Sequence, residues 1–194
     1  MKSLNRRKIV SAIHRELRKA EWSHKVKRYD DETIIRTDLD LDTNFADRCE
    51  MVFSVRDDDV LALGIPRMTV KPSFRSAVAT YLTRVNFGLR YGKTALSLED
   101  GEIRYEYLVH AATFAVNASE AMTDMVATVC GLLERLLPPL YMILGGVWTA
   151  EQAADAYMDS FKAKKKDDGD SEQKEPQFCR LSADDYICMP VGAS

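Results

Sequence analysis

Apolar residues recur at helical spacing from the start of the chain. Ile9, Val10, Ile13, Leu17 and Ala20 fall on one side of a helical repeat, which predicts an amphipathic helix over residues 4–21. The period then shortens to two. DETIIRTDLDLDT, RCEMVFSVRD and DVLALGIPRMTV are short and rich in β-branched residues, and Asp57, Asp58 and Asp59 separate the last two, so a three-stranded antiparallel meander is expected. Helical spacing returns at Phe74, Ala77, Val78, Tyr81, Leu82, Val85 and Leu89, a second helix with Ser73 as its cap and an end near Gly92. KTALSLE and EIRYEYLVHAA alternate again around Asp100-Gly101, a dipeptide suited to a two-residue hairpin turn. Asn117 and Glu120 have the spacing of a capping box and open a third helix, which Pro138-Pro139 should break or kink. Thr149 and Gln152 repeat that capping pattern at the head of a short fourth helix.

Residues 162–176 are almost wholly charged or polar and read as a linker, and residues 177–194 form a tail that regains apolar and aromatic residues. The order α-βββ-α-ββ-α-α predicts an α+β domain over residues 1–161, an antiparallel sheet of about five strands with helices packed on it. A length of 194 residues, 46% hydrophobic and 29% charged, suits one domain with a real core and an appendage.

Charge adds an asymmetry. Ten Lys and Arg against two Glu make residues 1–28 strongly basic, whereas residues 30–59 carry eleven acids against three Arg. Arg6, Arg7, Lys8, Arg15, Arg18 and Lys19 on the first helix are therefore candidates for binding an anion, such as nucleic acid or an acidic membrane surface. The simpler expectation is that they lie against the acidic strands of the same chain or of a second copy. No apolar run reaches the roughly 18 residues that span a bilayer, so no transmembrane segment is expected. The first residues lack the separate apolar core of a secretory signal. Four cysteines without close spacing point to a reduced, cytoplasmic chain without a zinc site.

Two motifs miss their targets. GLRYGKT places three residues, not four, between its glycine and the GKT triplet, and a helix enters where a phosphate loop needs a strand, so a nucleotide-binding loop is rejected. Asp38, Asp40 and Asp42 have the alternation of a calcium loop, but Thr43 stands where glycine is needed and Cys49 where glutamate is needed; alternating strand positions explain them better. The NAS triplet at Asn117 reads as a helix cap. His14, His24 and His110 are too scattered to suggest a catalytic or metal-binding cluster. No catalytic residue and no cofactor are assigned.

The stretch AVATYLTRVNFGLRYGKTALSLEDGEIRYEY, the capped helix after it, LPPLYMILGG and WTAEQAADAY together resemble the YbjN family, over roughly Trp22 to Tyr157. The basic first helix and the residues after Lys162 have no counterpart in that resemblance. Proteins of that family are described as bacterial sensory-transduction regulators and are similar in fold to type III secretion chaperones, cytoplasmic homodimers that hold unfolded client segments. The resemblance therefore implies a non-enzymatic chaperone-like or regulatory protein. It would be a homodimer with a further protein partner, bound on apolar helix surface or along a sheet edge. The residues point the same way: the third helix is apolar on more than one face, which makes Met122, Met125, Val129, Leu133, Leu136, Leu140 and Met142 the expected dimer or partner surface. Nucleic acid is the lesser expectation. The tail from Phe178 to Pro190 is a candidate to occupy the same surface.

Overall fold

The computed structural model describes residues 2–44, 46 and 48–167. The elements run α1 (Lys2–Lys19), β1 (His24–Arg28), β2 (Thr33–Asp40), β3 (Arg48–Val55), β4 (Asp59–Pro66), α2 (Arg75–Gly88), β5 (Lys93–Leu96), β6 (Ile103–His110), α3 (Ala111–Val116), α4 (Ala118–Leu144) and α5 (Ala150–Asp167), with a 3-10 turn, Pro72–Phe74, before α2. The fold is α+β. The strands form one antiparallel sheet in the order β1-β2-β3-β4-β6-β5.

The alternation seen in the sequence assigns the two faces. Ile35, Phe53, Ala62 and Tyr107 share one row of the register, and all are buried beneath the helices. In the next inner row Met51 stands beside Gly64, and Gly64 beside Tyr105. Gly64 is the contact point for α4: a Cβ there would lie 2.3 Å from Val129 Cγ1 and 2.9 Å from Leu133 Cδ1, so the missing side chain lets the helix sit close on β4. α4 also packs on β6, α1 packs against α4 and α3, and α5 fills the space between α4 and α2. The buried Tyr81 hydroxyl donates to Leu136 O at 3.0 Å, tying α2 to the middle of α4. Buried with no charged partner, that phenol is pushed far above its ordinary range.

Several local expectations change. β1, sequence HKVKR, was not expected; three basic residues hide its alternation, and it exists because its backbone pairs with β2 from His24 opposite Thr37 to Arg28 opposite Thr33. The six residues after His110 leave the sheet as α3 instead of extending the strand. Ser73 caps nothing: it lies inside the 3-10 turn, and α2 begins at Arg75. α2 stops at Gly88, so the left-handed Gly92 (φ 67°) serves the turn into β5 rather than the helix end. The β5–β6 connection is a six-residue loop rather than a two-residue turn, because Val70 N donates to Gly101 O and Thr69 bridges to Glu102, drawing the loop toward the chain that leaves β4.

Pro138 and Pro139 do not end α4, which runs 27 residues to Leu144. Proline lacks the N–H that would bond four residues back. The turn is held instead by burial of Leu136, Leu137, Pro139 and Leu140. Both caps form: Asn117 Oδ1 accepts from Glu120 N at 3.3 Å while Glu120 Oε2 accepts from the Asn117 side-chain amide at 2.7 Å, and Thr149 and Gln152 complete a capping box with bonds of 2.9 and 3.3 Å. α5 continues to Asp167, through the first residues of the expected linker. The rest of that linker and the tail at 177–194 lie outside the described residues.

Candidate functional site

The apolar helix surface expected to meet a partner is the protein's own core. Met122, Met125, Val129, Leu133, Leu136 and Leu140 are buried beneath neighbouring helices or against the sheet, and Met142 alone of the seven is half-buried. The expectation fails because a six-stranded sheet flanked by α1, α2 and α5 supplies more apolar cover than the sequence pattern suggests. A helix apolar on more than one face needs cover on each, and here one chain buries most of the positions expected to seek a partner.

The six candidate cations of α1 do not act as one patch. Arg6 is mostly withdrawn: it donates to Asp30 O at 3.0 Å and lies 3.6 Å from Asp57. Glu16 answers two more, accepting from Arg15 Nε at 3.0 Å and from Lys19 Nζ at 3.1 Å. Arg18 donates to His14 O, and Arg7 and Lys8 are exposed. Through Asp30 and Asp57, Arg6 joins this helix to the acidic stretch within the chain.

The surface with unmet apolar area lies on the far side of the sheet. Strand register builds it row by row. Lys27, Ile34, Ser54, Leu61 and Leu108 form one row, and Lys25, Arg36, Val52, Leu63, Glu106 and Lys93 form the next. Asp38, Glu50 and Ile65 form a third, which one further step in the register extends to Arg104 and Ala95. The Val52 row is apolar in the middle and charged at both ends; the first row carries Ser54 among Ile34, Leu61 and Leu108, and the third has Ile65 between Glu50 and Arg104. Val52 is buried by its neighbours, Ile34, Leu61, Leu63 and Ile65 are half-buried, and Leu108 is 50% exposed. No helix among the described residues covers this face. Its border charges are paired in the plane of the sheet: Arg36 with Glu50 at 3.0 Å, Arg67 with Asp38 at 2.6 Å, Lys93 with Glu106 at 3.1 Å and Arg104 with Glu106 at 2.7 Å. The sequence carried a signal for this face that went unused. MVFSV and VLALGI are apolar on both alternations, whereas strands with one wet face should alternate cleanly.

The two sheet edges differ. Asn86 on α2 closes part of the β5 edge, since its side chain donates to Thr94 O at 2.9 Å and accepts from Thr94 N at 2.7 Å, as a neighbouring strand would. β1 ends the sheet with exposed Lys25, Lys27 and Arg28, a charged edge that resists pairing with another strand.

Two contacts bring together residues far apart in sequence. His14 Nδ1 and His24 Nε2 lie 2.7 Å apart, and His24 Nδ1 lies 3.1 Å from Trp22 O, so His24 is assigned to donate to that carbonyl and to accept from His14. Burial, then the charges of His24, Arg18 and Arg28, hold His14 below its ordinary 6.5. The pair pins α1 to β1. Cys49 of β3 and Cys130 of α4 meet thiol to thiol; this hydrogen bond and burial push the Cys130 thiol up, so it keeps its proton. An open crevice of about 570 Å³ beside α3 and α4 is lined by Tyr107, Glu120 and Asp124 among apolar residues, and Tyr107 Oη bonds Asp124 Oδ2 at 3.1 Å. Among the described residues no three His, Cys, Asp or Glu converge as metal ligands.

Compared with family models, curated proteins and solved structures, the chain matches none. Among the described residues one helix, α4, is long and apolar enough to cross a bilayer, although half of its most apolar window is buried inside the fold.

Proposed function

We propose that this protein is a non-enzymatic interaction module, chaperone-like or regulatory as the YbjN resemblance implies, that works in the cytoplasm by holding a polypeptide against the open face of its sheet. The observation that carries this reading is the apolar centre formed by Ile34, Val52, Leu61, Leu63, Ile65 and Leu108. A continuous apolar patch with a charged border marks an interaction site more often than bare surface. Arg36, Arg67, Lys93 and Arg104 are already paired with acids in the plane, so a partner meets a border of mixed sign around the apolar centre.

A photo-reactive p-benzoylphenylalanine tests this reading in cells, placed at Leu63 on the open face or at Phe87, which is 80% exposed on α2. Polypeptide adducts are expected at position 63 and not at 87. An absence of adducts at 63, or the same adducts at both positions, contradicts the reading.

A second reading, binding of nucleic acid or anionic lipid by α1, draws on the exposure of Arg7, Lys8, Arg15, Arg18 and Lys19. It ranks lower because Glu16 pairs with two of them. Titration with a fluorescent oligonucleotide separates the two. Phosphate contacts would give binding that weakens steeply with salt, and apolar burial would not.

A further inference from the structure

We infer that the polypeptide covering the open face is a second copy of this chain, related by a two-fold axis that runs parallel to the strands between β3 and β4. This rests on the interaction reading above and names its partner. A two-fold axis joining two sheet faces must lie in the plane between them. If it runs along the strands it keeps every row at its own level and exchanges β2 with β6 and β3 with β4.

The rows then complement one another. Arg36 meets the Glu106 of the other copy, since both lie in the row of Val52 and Leu63. Asp38 meets Arg104 in the row of Ile65. Ile34 meets Leu108 and Val52 meets Leu63, while Leu61 meets Ser54 and Ile65 meets Glu50. Besides Ile65 on Glu50, one corner does not match, where Lys25 faces Lys93; both are exposed there. The other two-fold, across the strands through the Val52 row, sets Arg36 on Arg36 and Glu106 on Glu106, and sets Ile34 against Asp38. Charge selects the first arrangement. With strands spaced about 4.8 Å apart and rising about 3.4 Å per residue, the face measures roughly 600 Å² per copy. Both copies together bury on the order of 1,200 Å², the lower end of stable interfaces.

A charge exchange across the axis tests this. Arg36 and Glu106 sit on β2 and β6 with two strands between them, so within one copy they are about 14 Å apart and do not touch. Sedimentation velocity of the full chain is expected to show a dimer at micromolar concentration. Arg36→Glu or Glu106→Arg alone should weaken it by at least about tenfold. The double variant should recover to within about threefold of the original, even though it leaves like charges beside Glu50 and beside Lys93 and Arg104 within each copy, so recovery has to come from across the axis. Melting curves confirm folding of each variant. Should the charge variants unfold, Leu108→Glu and Ile34→Lys, singly and together, give the same cycle at a pair without in-plane ion pairs. A monomer at tens of micromolar, or a double variant no better than the singles, overturns the inference. A monomer whose position-63 adduct holds a different protein removes the second copy and leaves the interaction module standing, whereas no adduct at that position removes both.

Discussion

The two faces of the sheet are made by the same strands in the same register, yet they have opposite fates. On the inner face the row of Ile35, Phe53, Ala62 and Tyr107 is completed by helices of the same chain, and nothing in it reaches solvent beyond the edge of Tyr107. On the outer face the row one residue away, Arg36, Val52, Leu63 and Glu106, has an apolar middle of similar kind but charged ends and no cover among the described residues. A one-residue step moves a side chain from one regime to the other. The inner face carries stability and the outer face is the proposed site of recognition, so substitutions on the two should separate folding from association.

The largest effect is expected deep on the inner side. Leu133→Ala removes a fully buried side chain beneath α4 and should lower unfolding free energy by about 2–5 kcal/mol in a urea titration. Gly64→Val should cost about 1–3 kcal/mol, because its first added carbon already meets Val129 and Leu133 and α4 must shift outward. Asn86→Ala releases the β5 edge and leaves Thr94 without its side-chain partner, at about 1–3 kcal/mol. On the outer face Leu63→Ser should change the stability of the separated chain by less than about 1 kcal/mol while abolishing association seen by sedimentation. A loss of several kcal/mol there would mean that the outer face belongs to the core.

The smallest effect concerns the clamp between α1 and β1. His14 is held below its ordinary 6.5 in the fold, so the unfolded chain binds the proton more readily. Its contribution is therefore present above pH 6.5 and is lost as pH falls below that value toward the lowered folded one. Melting temperatures at pH 7.5 and 5.5 should show the wild type losing more on acidification than His14→Gln does. An equal drop in both would show that His14 does not carry this dependence.

How much of this was legible in the sequence follows from the range over which each signal acts. The caps at Asn117 and Thr149 were readable because a capping box spans three residues, and the amphipathic α1 and α2 because their period repeats. β1 was hidden because its strand character comes from pairing with β2, not from its own lysines. The prolines of α4, expected to break or kink it, do not break it because burial on the flanks outweighs the missing bonds. The His14–His24 and Cys49–Cys130 contacts join residues that only the tertiary fold brings together, and no spacing rule announces them. The interaction surface was misplaced for a related reason. The apolar excess of α4 was visible, but which elements would cover it was not, and the excess left uncovered among the described residues sits on the opposite face, in strands apolar on both alternations.

Hydroxyl-radical footprinting of the full chain, read by mass spectrometry over a range of protein concentrations, tests most directly whether the open face is where a polypeptide docks. Oxidation of Leu63, Ile65 and Leu108 is expected to slow several-fold as the protein is concentrated, while Phe87, Val116 and Val147, exposed elsewhere, react at an unchanged rate. Unchanged oxidation of the three sheet residues at every concentration, or protection of Val116 and Val147 in their place, would contradict it.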